Sequence, residues 1–98
     1  YALRVKVDDR VVAFTGDTGW VEALYEVARD ADLFISECFQ YDVTLPIHLD
    51  YRTIDANYEK FGAKQILLTH MGKDMLAEIA KVDTSRYMIA EDGMTIDL

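Results

Sequence analysis

Ninety-eight residues are enough for one domain with a modest core, and 51% hydrophobic with 11% aromatic side chains excludes an intrinsically disordered chain. Ten Lys and Arg against eighteen Asp and Glu leave a formal charge of -8, so the surface repels polyanions and nucleic acid is not the expected partner. No run approaches the roughly 18 apolar residues of a membrane span, no signal segment opens the chain, and the single cysteine, Cys38, has no intramolecular disulfide partner, which together lead us to expect a cytoplasmic protein.

The chain opens at Tyr1 directly in an alternating pattern, with Leu3, Val5 and Val7 on one face. A strand of that kind has neighbours, so a fragment of a longer protein is expected. "ALRVKV" and "RVVAFT" read as two strands of a hairpin around the tight turn Asp8-Asp9. "GWVEALYEVARDA" spaces Val21, Leu24, Tyr25 and Ala28 as one helical face, with Thr18 as the expected N-cap. "DLFISE" is a continuous apolar run, the pattern of a strand buried on both faces. "CFQYDVTLPIHL", with the only proline, Pro46, has no clean period and reads as a loop. "DYRTIDANYEKFG" predicts a helix capped by Asp50 and stopped by Gly62, "KQILLTH" a second buried strand, and "DMLAEIAKV" a short helix. "RYMIA" and "MTIDL" predict a closing pair of strands around Glu91-Asp92-Gly93. The sum is an α/β layer structure in a single domain, residues 1–98.

Sheets of this class place ligands at the carboxyl ends of their strands. Here three apolar strands finish on chemically competent groups: "AFTGD" on Asp17, "LFISE" on Glu37 and "ILLTH" on His70, with His48 in the loop after the second. Each alone has an ordinary structural explanation, since an aspartate in a glycine turn is usually turn chemistry and a strand-end histidine is usually hydrogen-bonded. Their convergence favours a site.

"FTGDTG", then "ADLFISE", "HL" and "GAKQILLTH", resembles the carboxy-terminal half of the metallo-β-lactamase fold hydrolases, within them the ribonuclease Z-like phosphodiesterases. The resemblance runs from about Val11 to His70. It implies half of an αββα sandwich, a mixed sheet covered by helices. It further implies that Asp17 bridges two metal ions, zinc with manganese or iron as alternatives, and that His70 ligates the second. Glu37 and His48 match a glutamate and a histidine beside the leaving group, although Ser36, Cys38 and Phe39 differ from the His-Glu-Ala-Thr box around that glutamate. The reaction implied is hydrolysis of a small phosphodiester or similar anionic substrate by metal-bound hydroxide, with His48 and Glu37 as the catalytic pair.

The residue chemistry agrees with that implication. A carboxylate has two oxygens and can bridge two cations about 3.5 to 4 Å apart, a neutral imidazole nitrogen is a common zinc ligand, and a histidine paired with a glutamate can hand a proton to a leaving alkoxide. The family's His-x-His-x-Asp-His box is absent, and His48 and His70 are the only histidines. Half an active site is therefore expected, without turnover from this chain alone, and with bare sheet edges that favour a homo-oligomer. The alternatives are hydrolysis of another bond, thioester or lactam, and a non-catalytic assembly module. Among the other residues, Cys38 is expected as a small buried hydrophobe, Met71, Met75 and Met88 as core, Trp20 and Tyr41 as core or pocket rim, and Asp8, Asp9, Asp30, Asp32, Glu91 and Asp92 as solvated turn charges.

Overall fold

A computed structural model describes residues 2–16, 19, 21–46 and 48–96. Asp8 and Asp9 both take positive φ, 49° and 66°, the twist that lets a two-residue turn join antiparallel strands. They link β1 (Leu3–Val7) to β2 (Arg10–Phe14), paired from Leu3 opposite Phe14 to Val7 opposite Arg10. Helix α1 (Ala23–Ala28) then carries the chain to β3 (Leu33–Glu37), which pairs parallel with β2. The N-cap expected at Thr18 lies outside the described residues; α1 starts after Glu22, which makes no side-chain capping bond.

Asp50 caps α2 (Tyr51–Ala56) as its sequence position predicts, its carboxylate accepting from the Thr53 backbone N–H at 2.9 Å. The single helix expected to run on to Gly62 is broken at Asn57, with α3 (Tyr58–Phe61) following. The Asn57 side chain donates back to the Thr53 carbonyl at 2.8 Å and accepts from the Tyr25 hydroxyl at 2.6 Å, which competes with the helical ladder. Gly62 ends α3 in the left-handed region at φ 66°. β4 (Ile66–Thr69), α4 (Lys73–Ala77), a 3-10 turn at Ile79–Lys81 and β5 (Tyr87–Ile89) complete the order. The strand expected over "MTIDL" is not formed by residues 94–96; after the turn closed by the Met94 N–H on the Glu91 carbonyl at 3.1 Å these residues join no strand.

The sheet order is β1-β2-β3-β4-β5, mixed, with β2 through β5 parallel. Register puts Ala13, Phe34, Ser36, Ile66, Leu68 and Tyr87 on one face. There, all but the Ser36 hydroxyl join a core with Leu24 and Ala28 of α1, Tyr51 and Ile54 of α2, Phe61 of α3 and Met75 of α4. Phe34 and Phe61, 0% and 1% exposed, meet at 5.1 Å between ring centroids, and each such burial is worth about 1.5–3 kcal/mol. The opposite face is different. Leu3, Val5, Val7 and Phe14 remain 54%, 49%, 59% and 37% exposed. On that same face Leu33 and Leu67 of the middle strands are buried, so the exposed apolar residues lie on β1 and β2. No helix among the described residues is long and apolar enough to cross a membrane.

Asp32, expected as a solvated turn charge, is buried. Its carboxylate accepts from the Val11 N–H at 2.8 Å and from Lys64 Nζ at 3.0 Å, with Arg10 at 3.7 Å. These bonds tie β2 to the segment before β4, and the Val11 N–H first, then Lys64, holds the carboxyl below the usual aspartate range. Cys38 is fully buried against Met75, and burial pushes its thiol up to about 12.

Candidate functional site

Because β2, β3 and β4 run parallel, their carboxyl ends meet at one edge of the sheet. Glu37 is the last residue of β3 and lies opposite Thr69, the last of β4, so His70 emerges one residue beyond Glu37's neighbour. β2 ends beside them. The Thr15 N–H donates to the Ile35 carbonyl at 3.1 Å, and the fully buried Thr15 hydroxyl accepts from the Glu37 N–H at 3.0 Å while donating to the Gly16 carbonyl at 2.9 Å. Gly16 then turns with φ 67° toward Asp17. Asp17 itself lies outside the described residues, so the expected metal bridge is located only by its neighbours.

Glu37 is 1% exposed, which is costly for a carboxylate unless it is paired. Its Oε1 pairs with His48 Nδ1. A carboxylate only accepts, so the proton of that bond sits on Nδ1. The loop 38–50 brings His48 back over β3 by two pairings, Gln40 with Asp50 and Leu45 with His48, the second spanning Pro46. Gly19 is buried against the same turn: a Cβ there would lie 2.1 Å from the Pro46 carbonyl oxygen. The loop that follows Asp17 and the loop that carries His48 are therefore in direct backbone contact.

His70 is exposed and takes φ 54°, a left-handed conformation that costs a side-chain-bearing residue about 1–2 kcal/mol. Strain of this kind collects at functional sites. Its ring centroid is 5.8 Å from that of His48. Glu37 and His70 are thus brought to one sheet edge by their strand-end positions, and the loop 38–50 adds His48 to them.

An exposed imidazole on a rigid strand end has the chemistry of a metal ligand, and His70 fits that role. The described residues hold no group of three or more His, Cys, Asp or Glu placed to share an ion. Cys38 adds nothing, because its neutral, buried thiol lies in the core rather than at the edge. Any coordination sphere here takes further ligands beyond those described. Two residues at the site were not read from the sequence. Thr15 joins the ends of β2 and β3 through a single hydroxyl, and nothing in its spacing distinguishes it from any strand threonine. Phe39 stacks on both imidazoles, at 4.4 Å from His48 and 5.7 Å from His70 between centroids.

The fold is one shared with solved metallo-β-lactamase fold proteins, and the chain's homologues are the metallo-hydrolase YhfI and ribonuclease Z. It is 32% identical over 74 residues to the probable metallo-hydrolase YhfI of Bacillus subtilis, covering 72% of this chain and 30% of YhfI. The crystal structure of YhfI, described as a metallo-beta-lactamase fold protein, superposes with a TM-score of 0.76 at 25% identity over 96% of this chain and 42% of that one. Ribonuclease Z of Geobacillus kaustophilus is 37% identical over 76 residues, 72% of this chain and 25% of that protein. Human tRNase Z, short form, shares the fold with a TM-score of 0.72 at 22% identity, over 98% of this chain and 37% of that one. No family model matches the sequence. The chain thus spans 25–42% of the length of these relatives.

Proposed function

We propose that this chain forms the carboxy-terminal half of a metal-dependent phosphodiesterase, in which Asp17 and His70 hold metal and the Glu37–His48 pair moves the proton. The observation that carries the reading is the buried carboxylate of Glu37 bonded to His48 Nδ1, at the sheet edge where His70 emerges. Two divalent ions, zinc or else manganese or iron, would supply charge neutralisation at phosphorus and an activated water. His48 does the rest of the leaving-group chemistry. Its Nδ1–H is committed to Glu37, which fixes the tautomer and the ring, so the protonated ring carries its second proton on Nε2. That proton passes to the departing oxygen, leaving a neutral imidazole still held through Nδ1–H by Glu37.

The relatives, a probable metallo-hydrolase and a ribonuclease Z, support hydrolysis of this kind. The charge of -8 argues that any nucleic-acid contact is made mainly by parts of the protein other than this chain, and that a small phosphodiester is the simplest substrate. The uncovered sheet face of Leu3, Val5, Val7 and Phe14 supports a second layer supplied by the rest of the polypeptide.

The test is His48→Ala in the intact protein, assayed on a phosphodiester with a nitrophenolate leaving group and on one with an alkoxide. A positioned acid contributes about 10² to 10⁴ in rate, so the alkoxide substrate should lose that much with metal content unchanged. The nitrophenyl substrate should lose far less, since its leaving group departs unprotonated. Equal losses on both would remove His48 from the proton path and favour hydrolysis of another bond.

A further inference from the structure

Phe39 sits where neither the strand nor the loop requires an aromatic ring, yet it is held at four points. Its backbone N–H donates to the carbonyl of Leu49, the residue after His48, at 3.0 Å. Its carbonyl accepts from the N–H of Gly72, two residues after His70, at 2.9 Å. Its ring lies near-parallel to both imidazoles, 27° from His48 at 4.4 Å and 29° from His70 at 5.7 Å. The room for this is made by Gly72, where a Cβ would lie 2.8 Å from the Phe39 carbonyl oxygen and 2.9 Å from its ring.

We propose that Phe39 is a positioning residue that sets the separation and tilt of His48 and His70, so that the proton donor and the metal-binding edge keep one fixed spacing. This rests on the roles given to those two histidines above, but the placement of the rings can be tested without them. The main chain of Phe39 links the two loops, and its ring fills the angle between the two imidazoles. Loss of the ring leaves both loops joined and His48 bonded to Glu37, but removes the surface against which the tilt of each imidazole is set. A displacement of about 1 Å at such a site can cost up to about 10² in rate.

The experiment compares Phe39→Leu, Phe39→Tyr and Gly72→Ala in the intact protein. At one fixed pH, proton NMR of the metal-free protein should show the His48 and His70 ring protons moving downfield in Phe39→Leu, His48 the more because its ring is nearer. Phe39→Tyr should keep the original shifts. With metal restored, kcat should fall between about 10- and 10²-fold in Phe39→Leu while KM changes little, and Phe39→Tyr should rescue it. Gly72→Ala should reproduce the kcat loss with Phe39 itself untouched. Unchanged histidine shifts in Phe39→Leu would overturn the proposal. So would a kcat loss that Phe39→Tyr fails to rescue, which would mark the ring as packing only. If the shifts move as expected but the wild type hydrolyses no phosphodiester, the positioning stands and the reaction assigned above is what fails.

Discussion

Replacing Gly19 with alanine should separate the two loops that build the site, and the size of the effect can be worked from the contact. An added Cβ would sit 2.1 Å from the Pro46 carbonyl oxygen, 2.7 Å from its carbon and 3.3 Å from the Leu45 carbonyl oxygen. Ordinary contact begins near 3.4 Å, so the backbones must part by 3.4 − 2.1 = 1.3 Å. Both sides of the clash are main chain and cannot be relieved by rotating a side chain. Overpacking of this type costs about 1–3 kcal/mol of stability. The functional cost should be larger, because Gly19 follows Asp17 by two residues and Pro46 precedes His48 by two. A shift of an ångström between groups that must act together can cost about 10²-fold in rate. Urea denaturation and phosphodiester hydrolysis by the intact Gly19→Ala protein measure the two effects. A variant with stability within about 0.5 kcal/mol of wild type and undiminished turnover would show that the Asp17 and His48 loops are not in contact in the working enzyme.

Phe34→Ala removes a fully buried ring from the helix-covered face and should cost about 3–5 kcal/mol, read from the urea midpoint at unchanged slope. Asp32 has its carboxyl held below the usual range in the folded chain, so its contribution is present above pH about 4 and is lost as pH falls through the lower folded value. Stability of Asp32→Asn should therefore be lower near neutrality and flatter than wild type across that acid range; an identical pH profile would show the three bonds to be idle. Cys38, buried and with its thiol raised to about 12, should react with iodoacetamide at pH 8 only after unfolding. Residues 1–98 expressed alone should self-associate through the Leu3, Val5, Val7 and Phe14 face, and sedimentation of a clean monomer at high concentration would contradict this.

Much of this fold could be read locally. The Asp8-Asp9 turn, the Asp50 cap and the Gly62 stop depend on residue chemistry within a few positions, and each appears where the sequence places it. That Glu37 and His70 share an edge is legible because strand ends in a parallel sheet meet there, whereas His48, in a loop with no clean period, is set beside a glutamate only by the family resemblance. What was not legible depends on partners far along the chain. Asn57 breaks its helix partly through Tyr25, 32 residues away, and Asp32 is drawn inward by Val11 and Lys64. "MTIDL" has the alternation of a strand, but β5 ends at Ile89 and residues 94–96 pair with no other strand, because propensity alone cannot supply a neighbour. Phe39 looked like loop because its importance lies in what two separate segments bring against it.

Asp17 and His70 are read as metal ligands and His48 as a proton donor, and metal stoichiometry separates those roles directly. Elemental analysis of the intact protein purified without chelator should find about two divalent ions per chain in the wild type and in His48→Ala, with a clear loss in Asp17→Ala and in His70→Ala. Full metal content in Asp17→Ala and His70→Ala, or a loss in His48→Ala as large as theirs, would contradict the account.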